Sequence, residues 1–177
     1  DIDLITSDCG IPYSENGNKY YKLAYSSLAF ILYNLPKNGN FVYKILLPIT
    51  EKSIIDLLYI CFKSFEELFF YKSVLNQYSR EFYIIGKNYE PIDNITKKKI
   101  LFYVKDYNND NTIYKRYPKK FMYQLTNGLR TLTNNYIFSI NRQIFYVDHA
   151  DELNDEQLRI IQKYINLKNL QWIDKYF

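Results

Sequence analysis

The sequence predicts an α/β fold: the second half of a doubly wound sheet that ends in an antiparallel hairpin, followed by a mainly helical C-terminal extension. Three observations carry this. Up to about residue 90, short apolar runs alternate with stretches of helical spacing in the order strand, helix, strand, helix, strand, strand. The last two runs, Phe65 to Tyr71 and Phe82 to Gly86, are separated by too few residues for a crossover helix, so they pair antiparallel. Beyond Glu90 the strand pattern gives way to punctuated sequence, which divides the chain into residues 1–90 and 91–177.

Taken in order, Ile2 to Ser7 reads as a short buried strand, because a compact apolar run stops at Asp8 and Gly10. Ile11 to Asn18 is a polar loop with Pro12 and Gly17. Lys19 to Leu35 carries apolar residues near helical spacing at Leu23, Phe30 and Ile31, and Pro36-Lys37-Asn38-Gly39 stops it. Phe41 to Leu47 is a continuous apolar strand broken only by Lys44, the pattern of a sheet covered on both faces. Thr50 and Ser53 are candidate caps for a helix running to Cys61 or Phe62. The hairpin follows, its strands joined by a polar loop from Lys72 to Arg80. In the extension, Lys97-Lys98-Lys99 and Tyr107 to Asn111 punctuate the chain, and Pro118 opens a helix over Lys119 to Asn134. Ile137 to Val147 reads as a pair of strands, or one strand with a turn at Asn141-Arg142. Asn154 or Asp155 caps a final helix through Ile165.

At 177 residues and 47% hydrophobic the chain buries a real core, with about 70% of the unfolded surface removed from water at this size. The 20 tyrosines, with abundant Ile, Asn and Lys, fit an AT-rich coding sequence, and stacking on bases is the second explanation for so many rings. A net charge of +4 is compatible with an RNA or phosphate partner without requiring one. Cys9 and Cys61 stand in apolar runs without CxxC or Cys/His spacing, which predicts buried, reduced thiols and no metal site. There is no signal segment and no apolar run long enough to span a bilayer, so the expectation is a soluble, cytoplasmic protein without a membrane partner. The opening Asp1-Ile2-Asp3, strand-like and lacking an initiating Met, predicts a piece of a longer polypeptide.

Asp8, Lys44 and Glu81 each sit in or at the end of an apolar strand-like run, where an ionisable side chain is costly unless paired or needed. Acid, lysine and acid at similar gaps suggest three neighbouring strands that carry their ends into one cleft. Ser7-Asp8 with Gly10, Gly39-Asn40-Phe41-Val42-Tyr43-Lys44, and Ser79-Arg80-Glu81-Phe82-Tyr83-Ile84-Ile85 together resemble the latter half of the FtsJ-type (RrmJ-type) RNA 2'-O-methyltransferases. Leu57 to Phe62, through Lys72 to Glu81, is similar to the mRNA cap branch of that family. The resemblance covers residues 1 to 90. It implies a Rossmann-like, S-adenosylmethionine-dependent sheet, with Asp8, Lys44 and Glu81 as the last three members of a Lys-Asp-Lys-Glu tetrad and with Asp8 and Cys9 beside the methyl donor. The family's first lysine and its glycine-rich donor loop precede the matched stretch. The resemblance therefore implies an N-terminal half, upstream or on a separate chain, as partner. A composition of this kind suits a large DNA virus that replicates in the cytoplasm, and equally an AT-rich parasite.

Moving a methyl group in line from a sulfonium to a ribose 2'-hydroxyl needs the oxygen aligned and relieved of its proton. The resemblance makes Lys44 the base. A lysine of ordinary pKa, about 10.4, is protonated at neutral pH. The scheme therefore needs desolvation and the family's other lysine to lower that value, while Asp8 and Glu81 orient the lysines. No metal is required. Capped mRNA is the favoured substrate; the other reading is a catalytically silent, methyltransferase-like RNA-binding or scaffolding subunit. Lys72, Ser79 and Arg80 are either RNA-backbone contacts or solvated loop residues, and Tyr13 and Asn16 border the expected cleft. Lys97 to Lys99 with Lys115, Arg116, Lys119 and Lys120 form either a phosphate-binding stripe interleaved with aromatic residues or a solvated helical face. His149 has no nucleophile or cysteine near it in sequence and carries no catalytic weight.

Overall fold

Alternating buried and half-buried positions along two neighbouring strands give the sheet one covered and one open face. The computed structural model describes residues 2–10, 17–74, 76–107, 112–149 and 152–176. In it β1 (Leu4–Ser7) and β2 (Asn40–Leu46) run parallel and are joined by α1 (Gly17–Asn34), while α2 (Lys52–Ser64) carries the chain on to β3 (Phe65–Tyr71). The next strand, β4 (Glu81–Tyr89), turns back antiparallel and inserts between β2 and β3, giving the order β1-β2-β4-β3. Three helices follow: α3 (Asn94–Lys105), α4 (Lys119–Asp148) and α5 (Asp155–Tyr176).

Phe41, Tyr43 and Ile45 of β2 and Phe82 and Ile84 of β4 face a core shared with Leu28, Ile31 and Leu32 of α1 and Leu57, Leu58 and Cys61 of α2. Core tyrosines keep their hydroxyls satisfied by donating to backbone carbonyls: Tyr43 to Ala24 at 3.0 Å and Tyr89 to Leu32 at 2.6 Å. Burial of the ring with a partner for the oxygen is the ordinary condition for a tyrosine inside a protein. Those rings are structural, which removes them from the base-stacking explanation. The open face carries Val42, Lys44, Leu46, Tyr83 and Ile85, all half-buried.

Several sequence expectations change: the first strand is not buried, Leu4 being 53% exposed, and the sheet is covered on one face and not on both. Ile137 to Val147 forms no strand: it continues α4, and Arg142 donates to the Tyr78 hydroxyl at 3.3 Å from that helix. The run is rich in Ile, Phe, Tyr and Val but contains neither Gly nor Pro, so nothing in it stops a helix already started. Lys97 to Lys99 lie within α3 rather than punctuating the chain, with Asp93 capping it through Thr96 N–H at 2.8 Å. At α2 the N-cap is Glu51, whose side chain makes no cap bond; Ser53 instead meets the Tyr107 hydroxyl at 3.1 Å. Asn154 does cap α5, in a reciprocal pair with Gln157 at 3.0 and 2.9 Å.

Candidate active site at the ends of three strands

Strand register brings the three ionisable residues together. Thr6 is paired with Val42, so two residues further on Asp8 lies beside Lys44; Leu46 is paired with Glu81, which places Glu81 diagonally from Lys44 on the same face. The Lys44 ammonium sits 2.5 Å from Asp8 Oδ1 and 3.5 Å from Glu81 Oε1. Lys44 is nearly enclosed, with 15% of its side chain exposed, whereas Asp8 retains 75%. The cleft around them, of about 290 Å³, is closed by Cys9, Gly10, Tyr20, Ile45 and Leu46. A Cβ at Gly10 would lie 3.9 Å from the Lys44 ammonium, an ordinary contact at the rim of the cleft.

The electrostatics differ from the sequence expectation. Lys44 is pushed above the ordinary lysine pKa, chiefly by its hydrogen bond to Asp8; burial opposes this, and the nearby Glu81 and Asp8 charges add to the rise. With these residues alone it is a firmly protonated donor, not the lowered amine that a base requires. One ammonium between two carboxylates leaves these three side chains one charge negative, and the Lys72 ammonium beside Glu81 brings the cluster close to balance. Among the described residues no group of three or more His, Cys, Asp or Glu is placed to hold a metal ion.

Other predicted residues fall differently. Cys9 is exposed at the cleft, not buried; Cys61 is buried, and its thiol is raised by desolvation. Cys9 lies past the end of β1, outside the strand whose apolar run gave the burial expectation. Lys72 turns inward, donating to Ser79 O at 2.6 Å and Glu81 O at 2.5 Å, and desolvation lowers its pKa. Ser79 Oγ accepts from Glu81 N–H at 3.1 Å, and the Arg80 carbonyl from Leu47 N–H at 2.8 Å. Lys72 and Ser79 thus hold Glu81 in place instead of presenting themselves outward. Tyr13 and Asn16 lie outside the described residues. His149 caps the C-terminus of α4 and stacks on Phe145.

Two participants were not foreseen. Asn76 donates to Glu81 Oε2 at 2.9 Å, and the Tyr20 hydroxyl accepts from Leu46 N–H at 2.7 Å. Neither carries a sequence signal, since one is a loop amide and the other a helical aromatic. A second groove, lined by Thr6, Asp8, Cys9, Ser26, Ser27 and Phe30, joins the cleft along the edge of β1 and encloses about 490 Å³.

No family model matches the chain. It is similar, at 28% identity over 183 residues, to "Uncharacterized protein L511" of Acanthamoeba polyphaga mimivirus. That match takes in 98% of this chain but spans only 23% of the length of the viral protein.

Proposed function

We propose that these residues are part of an RNA 2'-O-methyltransferase of the FtsJ type, acting at the cap-proximal nucleotide of mRNA. The observation that carries the reading is the convergence of Asp8, Lys44 and Glu81 from three adjacent strands onto one cleft. An α/β sheet whose last strand turns back antiparallel is also the ending this reading requires. The likeness to a viral protein agrees with a viral source.

The residues present fit one side of a donor site. Asp8, its carboxylate largely exposed, is suited to a positively charged ligand, and the Ser26–Ser27–Phe30 groove beside it offers polar and apolar walls. S-adenosylmethionine, when bound, supplies a methyl group on an electrophilic sulfonium. Lys44, fixed from both sides, would donate a hydrogen bond to the ribose 2'-oxygen and hold it in line, while Asp8 and Glu81 fix the ammonium. Proton removal by Lys44 itself needs a further cation brought into the cleft to reverse its raised pKa, the task this reading gives the family's remaining lysine. That lysine and the glycine-rich donor loop belong, on this reading, to polypeptide beyond these 177 residues.

Methyl transfer from labelled donor to capped RNA, measured with the intact protein that carries this chain, tests the proposal. Lys44→Ala is expected to lower the rate by on the order of 100-fold or more, as loss of a positioned proton-transfer group does, with the fold retained by circular dichroism. Equal rates for the two proteins would sink it.

A further inference from the structure

The chain's net charge of +4 is concentrated in one stretch. From Thr112 to Val147 there are six Lys and Arg residues and no Asp or Glu, whereas the remainder carries seventeen cations and nineteen acids. Most surfaces intersperse the two signs, so a run without an acid over a loop and all but the last residue of a 30-residue helix is unusual. Lys115 and Arg116 in the loop, Lys119 and Lys120 in the first turn of α4, and Arg130 further along it are all exposed. None of these five takes part in the ion pairs Lys37–Glu90, Lys44–Asp8, Lys44–Glu81 and Lys87–Glu67.

The loop that bears them is held rigidly. The buried Asp56 carboxylate accepts from Ile113 N–H at 2.5 Å, Tyr114 N–H at 3.2 Å and the Tyr117 hydroxyl at 2.8 Å. The Tyr114 and Tyr117 rings pack on Tyr59 of α2 with centroids 4.9 and 5.8 Å away. Cations emerging from so ordered a segment repel one another and the positive end of the helix they begin, which is unfavourable without an anion. Tyr123 stands one turn beyond Lys119 and is 70% exposed, and Arg130 lies about two turns further on. Phosphate-pairing cations flanking an exposed aromatic ring is the arrangement that binds single strands.

We infer that the loop 112–118 and the outer side of α4 form a binding surface for the backbone of single-stranded RNA, with Tyr123 as a stacking platform. The surface is separate from the Asp8–Lys44–Glu81 cleft. The chain leaves β2 at the cleft end, and α2 returns it to the opposite end of the sheet, where Phe65 pairs with Tyr89 and where Phe62 meets Phe121 at the start of α4. The start of α4, with Lys119 and Lys120, is therefore about 20 Å from the cleft along the sheet, the length of a 13-residue helix. The choice of RNA over DNA rests on the proposed function; the phosphate-binding surface does not.

Fluorescence anisotropy with a labelled, unstructured RNA 20-mer in ~50 to 200 mM KCl tests the inference, using the range over which phosphate contacts are most salt-sensitive. The fourfold variant Lys115→Gln, Arg116→Gln, Lys119→Gln, Lys120→Gln is expected to bind at least about tenfold more weakly at the lower salt. Its salt slope should fall by about 0.7 for each cation engaged. Tyr123→Ala is expected to weaken binding without changing the slope. A matched variant of α3, Lys97→Gln, Lys98→Gln, Lys99→Gln, Lys105→Gln, controls for bulk charge and should bind like wild type. Circular dichroism melts of all variants exclude unfolding as the cause. The inference is overturned if the fourfold variant binds within twofold of wild type, or if the α3 variant loses as much. Tighter binding of DNA of the same sequence overturns the assignment to RNA, and uptake by anionic phosphatidylserine vesicles with no RNA binding overturns it in favour of a membrane.

Discussion

Lys44 and Asp56 present the same sequence signature, a single charge inside an apolar run, and the structure gives them opposite fates. Lys44 points to the open face and meets two carboxylates in a cleft. Asp56, 1% exposed, points from α2 into the packing beneath the loop before α4, where two backbone N–H groups and a phenol satisfy it. Burial raises its carboxyl pKa, partly offset by those donors. A buried ionisable residue is thus evidence of a partner, and only the partner's identity separates a reactive site from a fastening. Asp56→Ala leaves two N–H donors unsatisfied at once. It is expected to destabilise the fold by about 3 kcal/mol, lowering the thermal midpoint by roughly 6 to 12 °C. A midpoint within a degree or two of wild type would show that water replaces the carboxylate.

Among the elements, β4 does most to build the site, because its insertion between β2 and β3 puts Glu81 next to Lys44 rather than two strands away. The antiparallel pairing of the hairpin was legible from its short connection. The insertion was not, since sequence separation says nothing of which older strand a hairpin docks against. Gly86 is where the docking is tightest: a Cβ there would fall on the Phe41 ring and 2.8 Å from Phe65 Cδ1, and neither ring has room to withdraw in the core. Gly86→Ala should destabilise the protein by about 2 to 3 kcal/mol through overpacking, read as an earlier urea midpoint. An unchanged midpoint would mean that β4 shifts freely in the sheet. Lys72 contributes at the same level, bridging the two carbonyls that hold the loop before Glu81. The α4 helix shows the opposite limit. Its second half has strand-like composition, and only continuity with an established helix decided its conformation.

At the scale of the whole molecule, the covered face and the α4 layer differ in how well they are filled. Side chains of α1, α2, β2 and β4 interlock with exposures near zero, whereas a groove of about 450 Å³ remains between α2, β3 and α4, lined by Leu58, Phe70, Leu125 and Leu132. Fewer buried contacts per residue imply a lower free energy of local opening. Amides in α4 are therefore expected to exchange on the order of 100-fold faster than those of β2 and β4; equal protection by mass-spectrometric exchange would place all layers in one cooperative unit. The two functional proposals occupy opposite ends of this architecture, a nearly balanced cleft at the strand ends and an unbalanced cationic surface around the start of α4. By itself the sequence determined the alternation of strands and helices up to Tyr89, the antiparallel hairpin and the three residues of the cleft, because apolar periodicity and the cost of burying a charge are local properties of the chain. Tertiary structure alone decided that Lys44 is held as an ammonium, that Lys72 and Ser79 serve Glu81, that Cys9 is exposed, and that Asp56 is a fastening. Each of these depends on which groups the folded chain brings within hydrogen-bond distance, and that distance is fixed by packing between segments far apart in sequence.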